Sequence, residues 1–264
     1  MRRLRKAANR VIMKKKLILA MVAMALTLGL HSCVWAAANN FSVKADELEY
    51  NLQTGEGEAK GHVELKQDGG VATANYAKFN SKKKSGLLVG NVMVDRADAH
   101  IVCREFIAHN ENDMSAVGNA SLTKEGKTIS ADRIDYYKGK QYAETMGGWA
   151  RLTDTDGSVL KAGKIDYDIA QGIANATGGV TIDSPARDLT AAANSAVYKT
   201  DKGGYVELQG NATATQNGNT VSGDKLRLTN ANVAVADGDV KIYYVPEQQP
   251  AVTGKEKQAG KALA

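Results

Sequence analysis

The chain has 264 residues, with 34 basic against 29 acidic side chains (formal net charge +5), 26 glycines, 3 prolines, 2 cysteines and only 6% aromatic residues. Two cysteines are too few for a disulfide-stapled scaffold, and many glycines with few prolines suit Gly-punctuated strands better than packed helices. The excess of positive charge sits in the first residues, so it makes no case for a nucleic-acid partner.

Residues Met1 to Lys16 carry Arg2, Arg3, Arg5, Lys6, Arg10, Lys14, Lys15 and Lys16 and no acid. An apolar run of 14 residues, Leu17 to Leu30, follows, and then the small-residue stretch Val34 to Ala38. Basic, then apolar, then small is the layout of a secretory signal peptide, and the run is shorter than the ~18–20 residues that cross a bilayer. Cleavage after Ala36 leaves about 228 residues with 26 basic and 29 acidic side chains, a net charge of −3. Met13 is a second start that keeps a basic region. Two alternatives stand: lipid attachment at Cys33, within Leu30-His31-Ser32-Cys33, and an uncleaved anchor. Without Cys33 the exported chain has one cysteine, Cys103, and no intramolecular disulfide.

From residue 43 the chain repeats with a period near 30. Val43 to Tyr50, Ile129 to Tyr136 and Leu160 to Tyr167 are close copies, and weaker ones centre on Ala74–Phe79, Cys103–Ala108, Ala193–Tyr198 and Gly223–Leu228. A small residue opens each of the seven copies, at positions 45, 74, 103, 131, 162, 193 and 223. A second half follows each, marked by Gly61, Gly90, Gly118, Gly148, Gly179, Gly210 or Gly238. In these second halves polarity alternates with period two, as in half-buried strands: Ala59, Gly61, Val63 and Leu65 share one face, and Glu58, Lys60, His62 and Glu64 the other.

The first halves slip in phase. Ile129 and Ala131 share a face, whereas Ile134 and Tyr136 have the opposite parity, and the same slip recurs at Val43, Ala45 / Leu48, Tyr50. One extra residue between two in-phase pairs predicts a bulge or sharp bend just after each small residue. The predicted inward set is Leu48, Tyr50, Val63, Phe79, Val92, Phe106, Ile134, Tyr136, Ile165, Tyr167, Val180, Tyr198 and Leu226. Cys103 falls at a small, inward position and is expected to be buried. From Pro246 to residue 264 the repeat is lost, and the composition is that of a disordered tail.

Chemistry-bearing patterns are sparse. His62, His100 and His109 have no metal-ligand spacing, and Cys103 has no partner cysteine, so no metal or cofactor is expected. Asp154-Thr155-Asp156-Gly157 resembles the opening of a calcium loop but lacks its further oxygen ligands, and reads as a hairpin turn. Asp46, Asp132, Asp135 and Asp166 recur with the repeat, where a catalytic carboxylate pair would occur once. The sequons at Asn119, Asn175 and Asn211 read as part of a Gly-Asn repeat signature. No catalytic residues are assigned and no enzyme is expected.

Ala45-Asp46-Glu47-Leu48-Glu49-Tyr50 followed by Ala59-Lys60-Gly61-His62-Val63, and Ala131-Asp132-Arg133-Ile134-Asp135-Tyr136, resemble the LptA/OstA-like family of lipopolysaccharide-transport proteins. The resemblance covers residues 41–245. It implies an all-β, V-shaped β-jellyroll of stacked antiparallel strands, here about seven ~30-residue repeats, over residues 37–245. It also implies a periplasmic bridge between inner and outer membranes. The cargo implied is lipopolysaccharide, its lipid A acyl chains lying in a groove lined by the inward set. Other Lpt-type β-jellyroll components would dock at both ends, and copies could stack head to tail. Seven repeats exceed the usual short bridge protein. A closed β-solenoid scaffold or adhesin, a membrane-anchored LptC-like component and, more distantly, a hydrolase on a solenoid are the competing readings.

Overall fold

The structure, a computed structural model, describes residues 41–245 apart from 68, 97–98, 125, 169, 200–204 and 230–233. The expected signal peptide (1–36), Cys33 and the expected tail (246–264) lie outside the described residues. The protein is an all-β, V-shaped β-jellyroll in which 17 strands form one antiparallel sheet. In chain order the strands are β1 (Ser42–Lys44), β2 (Glu47–Tyr50), β3 (Glu56–Gln67), β4 (Gly70–Asn80), β5 (Ser85–Arg96) and β6 (Ala99–Ala108). Then come β7 (Asp113–Lys124), β8 (Lys127–Tyr137), β9 (Tyr142–Thr153), β10 (Val159–Ala162), β11 (Lys164–Asp168) and β12 (Ile173–Ser184). The last are β13 (Leu189–Lys199), β14 (Tyr205–Gln216), β15 (Asn219–Thr229), β16 (Ala234–Asp237) and β17 (Lys241–Tyr243).

Strand pairing follows chain order. β1 with β2, β10 with β11 and β16 with β17 are each the two arms of one bent strand, so the 17 strands make 14 rungs, two per repeat. At ~4.8 Å per rung the stack is roughly 60 Å long.

Every rung bends at the same height, and the bend has two forms. In the strands that carry the small residue, inward side chains on either side of the corner are three positions apart, as in Ala74 and Ala77, Ala131 and Ile134, and Ala162 and Ile165. In the glycine strands they are four apart, as in Ala59 and Val63, Leu88 and Val92, and Leu208 and Ala212. The pairing register therefore shifts at each corner, for instance between Lys60/Val63 and between Gln209/Ala212. The phase slip expected after each small residue is present, but the surplus residue belongs to the neighbouring glycine strand. Gly61 is accordingly a corner residue rather than one of an unbroken inward series.

Sterics explain the glycine. Gly61 and His62 both take left-handed backbone (φ 72 and 47), as do Gly210 and Asn211 (φ 76 and 50), which Asn tolerates better than most residues. The residue after each small residue lies across the glycine of the next strand. A Cβ on Gly61 would stand 2.2 Å from Asp46 Oδ2, and one on Gly210 2.5 Å from Asn194 Nδ2. The same pairing joins Asn75 to Gly90, Arg104 to Gly118, Asp132 to Gly147 and Asp224 to Gly238. Asn119 and Asn211 are thus crease residues, whereas Asn175 lies within β12 and is outside that signature.

β9 departs from the rule. Buried Thr145 and Ala150 are five positions apart, the crease there is Gly147-Gly148, and Met146 and Trp149 are pushed out to 39% and 38% exposure. Thr145 compensates for lost strand pairing: its Oγ1 accepts from Ile165 N at 2.8 Å and donates to Ile165 O at 3.3 Å.

The corner divides the sheet into two facing walls. Wall one holds the arms that precede each small residue. Its inner cross-strand row is aliphatic on every rung: Val43, Leu65, Ala72, Val94, Ile101, Leu122, Ile129, Leu152, Leu160, Ile182, Ala191, Ala214, Val221, Ile242. Wall two has a row that mostly alternates large and small: Tyr50, Gly57, Phe79, Gly86, Ala108, Met114, Tyr136, Ala143, Tyr167, Ala174, Tyr198, Val206, Leu228, Ala234. The Phe79 ring leans over its small neighbour; a Cβ on Gly57 would lie 2.3 Å from Phe79 Cζ.

Gly210→Ala should lower the unfolding free energy by about 1–3 kcal/mol, because it adds a methyl group to a crowded left-handed position. Gly139→Ala, where nothing lies within 4 Å and φ is ordinary, should be near neutral. Thermal unfolding of the two variants checks the difference.

Candidate functional site: an apolar trough between two walls

The crease itself is solid. Val63, Val92 and Val180, which follow the corner directly in their strands, are 1%, 0% and 1% exposed. Packing loosens away from the crease, where Leu160, Ile182, Leu189, Val206, Val221 and Leu228 are only partly buried. In the C-terminal half these residues surround a cavity of about 320 Å³. Wall one supplies Leu152, Leu160, Ile182 and Val221, and wall two Ile165, Ala176, Tyr198, Val206 and Leu228. The rim side of the same cavity is polar, with Asp154, Ser158, Ser184, Arg187, Gln216 and Asn219.

The first rungs are occupied by aromatic side chains instead. Phe41, two residues before Val43 on wall one, meets Phe79 of wall two edge-on at 5.4 Å between centroids, and Tyr50 stacks on Phe79 at 6.2 Å. A shallower hollow of about 560 Å³ at the foot of these rungs is lined by Glu49, Glu56, Glu58, Lys78 and Lys83 as well as Phe79. Its charges suit it poorly to an apolar guest.

The residues expected inward divide accordingly. Ile165 and Tyr198 line the cavity. Phe79, Ile134, Tyr136, Tyr167 and Leu226 are buried in wall two, and Phe106 is half-buried. Leu48 and Tyr50 are exposed, at 50% and 41%. Their cross-strand partners Ala59 and Gly57 face inward, so both have the expected orientation, but no described rung lies beyond β2 to cover them. The partly buried lining residues Leu160, Ile182, Leu189, Val206, Val221 and Leu228 are absent from the expected set. A signal for some of them existed: Val43, Ile129 and Leu160 are the apolar residues two before a small residue in each close copy.

The residues weighed for chemistry do not converge. Asp46 covers Gly61 and meets His62 Nδ1 at 2.8 Å on the exposed crease. Asp132 covers Gly147. On the outer face of wall two, Arg133 Nε donates to both oxygens of buried Asp135 at 2.8 and 2.9 Å, and Lys164 lies 2.7 Å from Glu144 and 3.0 Å from Asp166. Hydrogen bonds to Glu144 and then to Asp166 push the Lys164 pKa above its ordinary range. His100 pairs with Asp95 at 2.6 Å and His109 with Ser115 at 2.9 Å. Among the described residues no group of three His, Cys, Asp or Glu side chains is placed to hold a metal. Asp154 to Gly157 is the β9–β10 turn: Asp154 Oδ1 accepts from Thr155 N at 2.6 Å, and Asp156 Oδ1 from Ser158 N at 2.8 Å.

The sequence family described as "LptA/(LptD N-terminal domain) LPS transport protein" matches twice, over residues 42–173 and 108–234. The two placements overlap and are displaced by about two repeats, as a sliding match to a periodic chain would be. The crystal structure of LptH, the LptA homologous periplasmic component of the conserved lipopolysaccharide transport device from Pseudomonas aeruginosa, is 14% identical over 79% of this chain and 96% of that one, with a TM-score of 0.17. That superposition is too loose to transfer any feature. No curated protein sequence matches.

Core and trough respond differently to truncation. Leu208→Ala, at a site with 0% exposure, should cost about 2–5 kcal/mol. Leu160→Ala or Val206→Ala, beside existing space, should cost markedly less in the same urea titration. Burial also pushes the Cys103 thiol from an ordinary 9.0 up to about 11. The folded state therefore holds its proton more tightly, and this stabilisation is complete below about pH 9 and lost as pH rises towards 11. Iodoacetamide at pH 8 should label Cys103 far faster in urea than in the native protein, and Cys103→Ala should flatten part of the alkaline fall in stability.

Proposed function

The chain belongs to the LptA/LptD N-terminal family of lipopolysaccharide transport proteins, and from that membership and the form of the trough we propose that it is a periplasmic bridge protein carrying lipopolysaccharide between the inner and outer membranes. The lipid A acyl chains are held between the two walls. One observation carries this reading: a cavity of about 320 Å³ whose floor is aliphatic and aromatic on both sides and whose rim is polar. Burying apolar surface contributes ~25 cal/mol per Å², so long acyl chains are retained without any catalytic group. The activity is binding and transfer rather than catalysis. An open cavity favours this over a solenoid with a dry, closed interior.

Assembly with further β-jellyroll components, or with copies of itself, belongs to the same proposal. Among the described residues the terminal rungs β1/β2 and β16/β17 each have a backbone edge with no neighbouring strand, suited to strand addition. Large apolar side chains are exposed on both, among them Leu48 (50%), Ile242 (71%) and Tyr243 (68%). The proposal takes residues 1–36 as a cleaved leader and 37–245 as the jellyroll.

A photo-crosslinking residue at Tyr136, Ile165 or Val206 in growing cells should yield lipopolysaccharide adducts. One at Lys161, on the outer face of wall one, should yield none. Absence of adducts at every inner site, with the protein folded and exported, would refute the proposed cargo.

A further inference from the structure

The trough has two unlike ends. Towards the C-terminal end the cavity reaches β15 and β16, where Val221, Leu228 and Ala234 line it. At the other end a pair of rings joins the two walls. Phe41 stands one residue before β1, and by alternation with Val43 it points into the trough one step farther from the crease. Its ring crosses to wall two and meets Phe79 edge-on, with centroids 5.4 Å apart and planes at 64°. Phe79 is the fixed half of this pair. It is 8% exposed, its ring tip lies over bare Gly57, and it stacks on Tyr50 at 6.2 Å. The Tyr50 hydroxyl is in turn hydrogen-bonded to Ser81 Oγ at 2.8 Å. Phe41 is the loose half, 39% exposed and outside every described strand. A single edge-on ring pair is a weak contact, and a residue outside the ladder gains nothing from strand pairing.

Between the ring pair and the crease lie Val43 and Leu65 on wall one, with Tyr50 and Gly57 on wall two. Val43 and Leu65 are only partly buried, as are Leu160 and Val221 beside the cavity. Without the Phe41 ring the first rungs would therefore offer an acyl chain the same kind of surface. We propose that Phe41 is a selectivity residue of the trough: its ring occupies the acyl path at the N-terminal end and restricts the cargo to the rungs beyond it. A chain passes the first rungs only when the ring swings off Phe79. Exclusion works by occupancy, since the ring and a hydrocarbon chain compete for one space. This inference rests on the acyl-binding reading and adds to it where along the stack a chain can lie and which residue sets that boundary.

The test adds a paramagnetic acyl chain, a stearate with a nitroxide near its methyl end, to the exported protein labelled at valine and leucine methyl groups, and reads NMR line broadening. In the natural protein the Val206, Val221 and Leu228 signals should broaden and those of Val43 and Leu65 should not. Phe41→Ala should broaden Val43 and Leu65 several-fold and leave the cavity signals as they were, whereas Phe41→Tyr, which keeps a ring, should match the natural protein. Broadening of Val43 and Leu65 in the natural protein, or its absence in Phe41→Ala, overturns the exclusion role while the acyl-binding reading stands. Phe41→Tyr behaving like Phe41→Ala overturns it too, since the bulk of the ring then decides nothing. A water-soluble gadolinium chelate separates exclusion from a merely structural role. If it broadens Leu65 of Phe41→Ala as strongly as the stearate does, the terminal rung has frayed and the exclusion role falls. Cavity signals that stay sharp in every variant sink the acyl-binding reading, and this inference with it. If Phe41→Ala does not fold, Phe41→Leu, whose side chain reaches less far across the trough, takes its place with the same deciding outcomes.

Discussion

The fold depends on a close contact at the crease, between the side chain that follows each small residue and the bare Cα of a glycine on the next strand. Asp46 over Gly61 and Asn194 over Gly210 leave no room for a Cβ. The two consecutive left-handed residues in the glycine strand turn the chain without breaking the ladder on either side. Because the left-handed pair recurs in all seven repeats and the side-chain contact in six of them, the bends line up along the stack. A series of bent strands thereby becomes one folded sheet with an inside and an outside. At one corner the contact is reduced to glycine against glycine, at Gly163 and Gly178.

Alignment of the bends fixes what lies inside. Side chains beside the crease meet across a narrow angle and pack as a core, with Val63, Val92 and Val180 almost inaccessible. Farther out the walls diverge, and aliphatic and aromatic side chains that would fill a narrower space are left half-covered. The protein thus passes from core to trough along a single strand within a few residues. The trough needs no loop, hinge or dedicated element, and arises from the angle between walls. Filling is also uneven along the stack, since Phe41, Tyr50 and Phe79 occupy the first rungs and the cavity opens only from β9 onward.

Much of this was legible in the sequence because it is periodic. The phase slip at Ile129, Ala131 / Ile134, Tyr136 announced a bend, and seven copies of it announced a stack. The location of the surplus residue was not legible: Ala59, Gly61, Val63 and Leu65 alternate perfectly on paper, and only the left-handed backbone at Gly61 and His62 reveals two corner positions within the series. Nor could periodicity distinguish ends from middle. Leu48 and Ile165 occupy equivalent places in their repeats, yet one is half-exposed and the other buried, because burial depends on the next rung and not on the residue's own pattern.

Strict succession of rungs, each paired only with its neighbours in the chain, makes length a discrete variable. Adding or removing one pair of rungs changes about thirty residues and moves the two ends by roughly 10 Å. It leaves every remaining corner and inner row intact. An architecture of this kind can be fitted to a gap between two fixed surfaces by whole-unit duplication, much as a ladder is extended, with no redesign of the parts already in place.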